Sequence, residues 1–339
     1  MDCISQVKVQ SMDARFISRV SVLVFLLLLS TGATYETENF IVSAPNAEAA
    51  KHFAETAEQC REDLALLWLG NTLPDWSAKC TVTIHIGSDL GAGGNTSFIF
   101  ENGEVFGWEM EIQGPYERII DSVLPHEITH MILASHFRKP IPRWLDEGMA
   151  TYVEHKSEKM NYRRMLRHFL QTDVQRCFPL NRMVAMTDYP SDPIPFYAQG
   201  FSLVEYLLEY GRQFDGDEHH RLVHFSGTAM QNGDWQRALQ EHYGMANLGE
   251  LQLSWLRWVG DDVPTLPVPM VAEVPRVRPP GAADDTVVIQ TSAKPLPPPA
   301  NSVYDRRTVK GAVQMIPVSW NDEKAVPIPT SFGHDVILR

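Results

Sequence analysis

Apolar and polar residues recur along the chain with two different periods, and the change from one to the other falls near residue 117. Before that point the short runs read as strands. Asn39–Val42 is short and largely apolar, Cys80–Ile86 alternates and is β-branched, and Ser97–Phe100 with Glu104–Ile112 forms a hairpin pattern. Phe53, Ala57, Cys60, Leu64 and Leu67 repeat at helical spacing, which predicts a helix opened by Pro45-Asn46, with Asn46 as N-cap, and stopped at Gly70. Gly91–Gly94 has none of the Lys-Ser/Thr chemistry of a phosphate-binding loop and reads as a mobile turn. From about 117 to 259 the helical period persists, with helices predicted near 118–135, 143–171, 195–210, 233–243 and 247–259. Gly211, Gly244 and Gly260 stand where helix stops are expected. The fold class expected is α+β: a small N-terminal sheet with a helix, then a mainly helical half.

The two ends of the chain depart from this pattern. Arg15 and Arg19 precede a mainly apolar run, Val20–Leu29, followed by Ser30-Thr31-Gly32-Ala33. A basic segment, a ten-residue apolar stretch and small residues describe a secretory signal peptide over residues 1–33, which places the mature chain in the cell envelope or outside the cell. The rival reading is an uncleaved anchor, for which the run is short. At the other end, residues 261–339 hold 13 of the 23 prolines, a density incompatible with continuous helix or ladder hydrogen bonds. That tail is expected to be mostly disordered, with Val287–Ile289 and Val313–Val318 able to form short strands or docking segments. The folded domain is then about 35–260.

Composition narrows the function classes. With 44% apolar residues the 339-residue chain can bury a sizeable core. Its 29 basic against 42 acidic residues, a net charge of −13, oppose sequence-blind nucleic-acid binding and docking on anionic lipid. Outside the leader the cysteines are Cys60, Cys80 and Cys177, read either as a Cys60–Cys80 bond in an oxidising compartment or as three buried thiols. Asn95-Thr96-Ser97 matches a glycosylation acceptor.

The chemistry concentrates in LPHEITHMILASHFRKPIPRWLDEGMATYVE. His126 and His130, four residues apart, fall on one helix face one turn apart, where both imidazoles can bind one metal ion. Glu127, beside the first of them, can reach a water on that ion. A catalytic zinc takes three protein ligands and keeps a position for water, and Glu147 in WLDEG is placed to be the third. Pro125, directly before His126, marks a helix start or kink.

HEITH followed after 16 residues by the Glu of WLDEGMATYVE resembles the gluzincin, or peptidase MA-like, zinc metallopeptidases, in particular secreted bacterial members. The resemblance covers about 40–258 and is specific over 120–155. It implies His126, His130 and Glu147 as zinc ligands, Glu127 as the catalytic base, and a peptide or protein as substrate. It also suggests that a Tyr or His of the helical half assists the oxyanion; Tyr197 is the candidate, with Tyr206, His219, His220, His224 and His242 behind it. The strand Glu104–Ile112 is expected as the sheet edge beside the cleft, where an extended peptide could lie, or else as a core hairpin. Two departures stand out. Several gluzincins carry a carboxylate one turn after the third ligand to orient a ligand His, whereas here Thr151 stands there and Glu154 a turn later. Gly107-Trp108-Glu109-Met110-Glu111-Ile112 is not the Gly-x-Met-Glu-Asn exopeptidase motif, so the resemblance does not extend to aminopeptidase specificity. Two other classes use the same residues: a non-catalytic envelope or interaction module on a peptidase-like fold, and a zinc hydrolase of a non-peptide amide or ester.

Overall fold

The computed structural model describes residues 32–214, 216–260 and the strand 288–293. Most of the leader 1–33, and most of the tail with Val313–Val318, lie outside the described residues. A mixed sheet is built from five strands of the N-terminal half, β1 (Ala33–Glu36), β2 (Phe40–Ala44), β3 (Cys80–Ile86), β4 (Gly93–Glu101) and β5 (Glu104–Gly114), and from β6 (Val288–Ala293) of the tail. The spatial order is β1-β2-β3-β5-β4-β6. Strands β2, β3 and β5 run parallel, while β1, β4 and β6 pair antiparallel with their neighbours.

Alternation makes the sheet one-faced. Phe40, Val42, Val82, Ile84, Met110 and Ile112 turn inward, and Thr81, Thr83, Glu109 and Glu111 turn to solvent. The inner face is covered by α1 (Ala47–Leu69), which starts on the Asn46 side chain accepting from the Ala49 N–H at 2.9 Å and stops at Gly70 with φ 68°.

Next to α1 lies α2 (Leu124–Phe137), entered through a short helix, Tyr116–Arg118, and a π-helical turn, Ile119–Val123. Pro125 has no N–H to give the preceding turn, and the widened turn just before it accommodates its ring. Every residue of α2 from His126 to Ala134 is buried, because the helix is wedged between the sheet and the helical half. That half comprises α3 (Arg143–Tyr152), α4 (Lys156–Thr172), α5 (Leu180–Met183), α6 (Pro193–Gly211), α7 (Glu218–Asn232), α8 (Trp235–Tyr243) and α9 (Leu248–Val259). No helix among the described residues is long and apolar enough to cross a membrane.

The α+β architecture stands as expected, and several details do not. Gly91–Gly94 is not a free turn, since Gly93 and Gly94 are buried strand residues of β4. Strand β5 pairs with β4 along its length and with β3 from Glu109 onward, so Glu109–Ile112 is interior and not the sheet edge. The single helix expected over 143–171 breaks into α3 and α4 at residues 153–155. Helix α7 fills a stretch where none was expected; its Leu222, Phe225 and Ala229 stripe is masked in the sequence by His, Ser, Thr and Gly. Strand β6 lies within the proline-rich tail. Cys60, Cys80 and Cys177 are free thiols that burial holds above the ordinary thiol range.

Candidate metal centre

Helix α2 supplies His126 and His130 from one face, their rings 4.9 Å apart, and α3 crosses opposite them with Glu147. One donor atom from each of the three lies within 4.8 Å of the others. Glu147 Oε2 is 3.5 Å from His126 Nε2 and 3.9 Å from His130 Nε2. Ligand atoms about 2.0–2.2 Å from a tetrahedral ion stand roughly 3.3–3.6 Å apart; the 3.5 Å separation matches that spacing, and the 3.9 Å one is wider than it and too long for a hydrogen bond.

The far sides of both imidazoles are fixed. His126 Nδ1 meets Glu154 Oε1 at 2.7 Å, and His130 Nδ1 meets Asp146 Oδ1 at 2.8 Å. Those contacts hold each ring with Nε2 turned toward the centre. Glu154 reaches His126 because the helix breaks at residues 153–155, where the His155 N–H donates to Ser122 Oγ at 3.3 Å. The carboxylate that orients His126 is therefore Glu154, one turn beyond the position where several gluzincins carry theirs, and Asp146 serves His130.

Four buried atoms here have no hydrogen-bond partner: His126 Nε2, His130 Nε2, Glu147 Oε2 and Glu127 Oε1. A buried polar atom left unpaired costs about 1–3 kcal/mol, so the three grouped on His126, His130 and Glu147 call for a ligand. Two imidazole nitrogens and one carboxylate oxygen form a donor set that can hold a metal ion. Electrostatics point the same way. Asp146, Glu147, Glu154 and Glu127 are each at most 2% exposed, a density of buried carboxylate that requires positive charge. Burial alone would lower the His126 pKa, but Glu147 and Glu154 outweigh it and raise it to about 10. Against the same burial, the two histidines hold the Glu147 carboxyl below its usual range.

Glu127 is set differently. Its Oε2 accepts from the Thr96 hydroxyl of β4 at 2.7 Å, leaving Oε1 as the unpaired atom. Burial pushes its carboxyl up, against the pull of His126, His130 and Thr96, which suits a group that takes a proton. The sheet approaches closely enough because residue 94 is glycine. A Cβ there would stand 2.6 Å from Glu127 Oε1 and 2.8 Å from its Cγ. Thr96 is thus committed to Glu127, and Asn95 lies in a strand rather than in the exposed loop that a glycan acceptor needs.

On the opposite side the Tyr189 hydroxyl donates to Glu147 Oε1. Arg143 stacks 4.7 Å over the Tyr189 ring and lies 4.0 Å from Asp146. Tyr197 is buried, with its ring 5.9 Å from that of Tyr189. Burial raises both phenols well above their ordinary range and keeps them protonated donors. Tyr189 was not legible beforehand: it sits in the connection between α5 and α6, where no periodicity singles it out. The end of that connection is held by Arg176 on Asp192 at 2.7 Å, and the chain entering α5 by Gln199, which bonds both Phe178 backbone groups at 2.7 and 2.9 Å.

The other histidine candidates lie elsewhere. His219 packs on Trp68 and Tyr152, His220 pairs with Asp217 at 2.9 Å, His224 neighbours His220, and His242 bonds Thr228 at 2.8 Å. Tyr206 packs against Tyr210 and Trp258. Comparison with protein-family models and with curated proteins finds no match for this chain.

Proposed function

We propose that the chain is an exported zinc-dependent peptidase, with His126, His130 and Glu147 as ligands and Glu127 as general base. The observation that carries this reading is that His126, His130 and Glu147 bring three buried ligand atoms within 4.8 Å of one another, each without a hydrogen-bond partner, while Glu127 next to His126 keeps a buried, unpaired Oε1. Two nitrogens and one oxygen would give the ion three protein ligands, the number that catalytic rather than structural zinc takes. When bound, zinc supplies Lewis acidity, acidifying water and polarising a carbonyl.

The protein's own groups perform the rest. Glu127 Oε1 takes the proton of the attacking water while Thr96 fixes its other oxygen, and Glu127 then delivers that proton to the departing amine as the C–N bond breaks. Glu154 and Asp146 prevent the imidazoles from turning. An oxyanion developing on the substrate carbonyl would take its donor from Tyr197 or from Tyr189, whose hydroxyl would then exchange its bond to Glu147 Oε1. β4 carries Thr96 beside Glu127, and an extended peptide would lie along its outer side in place of β6. A purely structural metal site would have no use for Glu127. Hydrolysis of a non-peptide amide or ester would use the same groups.

Digestion of a mixed peptide library by the purified protein should yield cleavage products that disappear with a chelator and return on adding zinc. Products that persist in the chelator would remove the metal from the reaction.

A further inference from the structure

β4 has two sides, and β5 occupies one of them. The other is taken by β6, six residues of the proline-rich tail paired antiparallel from Phe100↔Val288 to Asn95↔Ala293. Ser292 stands opposite Thr96, the residue whose hydroxyl holds Glu127. Adjacent strands lie about 4.8 Å apart, so the tail main chain runs one strand spacing from the β4 main chain at Thr96. Pairing stops at Asn95, leaving Gly93 and Gly94 beyond the paired stretch, and two residues past Ala293 stands Pro295, which has no N–H for a ladder. The outward N–H and C=O groups of β4 can bond only one partner strand at a time.

We infer that β6 is a tethered, displaceable occupant of the strand-acceptor edge beside Glu127, so that the chain's own tail competes with an extended peptide for that edge. This rests on the peptidase reading only for its consequence in turnover; the competition itself is a property of the sheet. A strand held on its own chain acts at an effective concentration on the order of millimolar, so it keeps weak peptides off, while a segment released by a partner or by cleavage of the tail opens the edge. If β6 fills the edge more than nine-tenths of the time, a competing strand loses about tenfold or more in apparent affinity.

The test uses the full chain with Gln290→Pro and Thr291→Pro together. N–H groups of consecutive strand residues point to opposite sides, so one of the two prolines must remove a bond to β4. A fluorescent peptide with the sequence of residues 286–294 is titrated by anisotropy, in the presence of a chelator. The double variant should bind it at least about tenfold more tightly than the unaltered chain. A second protein, Ser97→Cys with Thr291→Cys, places cysteines at paired positions of β4 and β6. Its oxidised form should bind the peptide at least about tenfold more weakly than its reduced form, a comparison within one folded protein. Equal binding in both comparisons would overturn the inference. Because binding is read without metal, the result is independent of catalysis. Tighter binding without cleavage by any form would leave the edge competition standing and remove the peptidase reading; chelator-sensitive cleavage with unchanged binding would do the reverse. Where cleavage occurs, the proline variant should show a lowered KM at unchanged kcat.

Discussion

Glu127→Gln should retain its metal and lose peptide hydrolysis by about 10²–10⁴-fold in kcat. The amide is isosteric with the carboxyl, and it can keep the 2.7 Å contact with Thr96. What it cannot do is accept a proton from water at Oε1, the atom the structure leaves unpaired. Folding should not suffer. Burial pushes the Glu127 carboxyl up, so its ionised form opposes the folded state above its unfolded pKa, and a neutral amide removes that penalty. Steady-state kinetics, metal content and melting temperature on one preparation separate these effects. Unchanged kcat would move the general base to another residue.

Gly200→Ala should destabilise the protein by about 3 kcal/mol, at the upper end of typical overpacking costs. Helices α3 and α6 cross with almost no space between their backbones. A Cβ on Gly200 would stand 2.6 Å from the Trp144 carbonyl oxygen, and one on Gly148 the same distance from the carbonyl of Gly200. Neither obstacle is a flexible side-chain end, so the helices must separate. For a domain of this size the loss corresponds to a fall in Tm of roughly 6–12 °C. Separation also moves Glu147, next to Gly148, away from the histidines of α2, so metal affinity should fall with stability. Gly227→Ala is the control. Its Cβ would meet only a Phe137 ring carbon at 3.8 Å, and alanine in a helix should then stabilise by about 0.5–1 kcal/mol. Two glycine-to-alanine changes in helices should therefore shift Tm in opposite directions.

These two cases show where the sequence is readable and where it is not. The pair His126 and His130 is legible because a helix converts a four-residue spacing into a shared face, and Glu127 and Glu147 follow from the chemistry that such a pair requires. Asn46 and Gly70 are legible because capping is local. Glu154 is not, because its role depends on a helix break that pays off only through contact with His126, 28 residues earlier. Tyr189 reaches Glu147 from a connection without period. Gly94 reads as a turn for a physical reason: glycine weakens strands in general, but here a Cβ at residue 94 would stand 2.6 Å from Glu127 Oε1. The order that puts β4 rather than β5 next to the tail strand depends on pairings between distant segments, which no local pattern encodes.

Metal content of the purified full chain, measured by inductively coupled plasma mass spectrometry after zinc loading and desalting, tests the central claim most directly. About one zinc per chain is expected for the unaltered protein, and less than about one-tenth for His126→Ala with His130→Ala, checked by circular dichroism to be folded. Stoichiometric zinc retained by the folded double variant, or none held by the unaltered chain, would contradict the assignment of His126, His130 and Glu147.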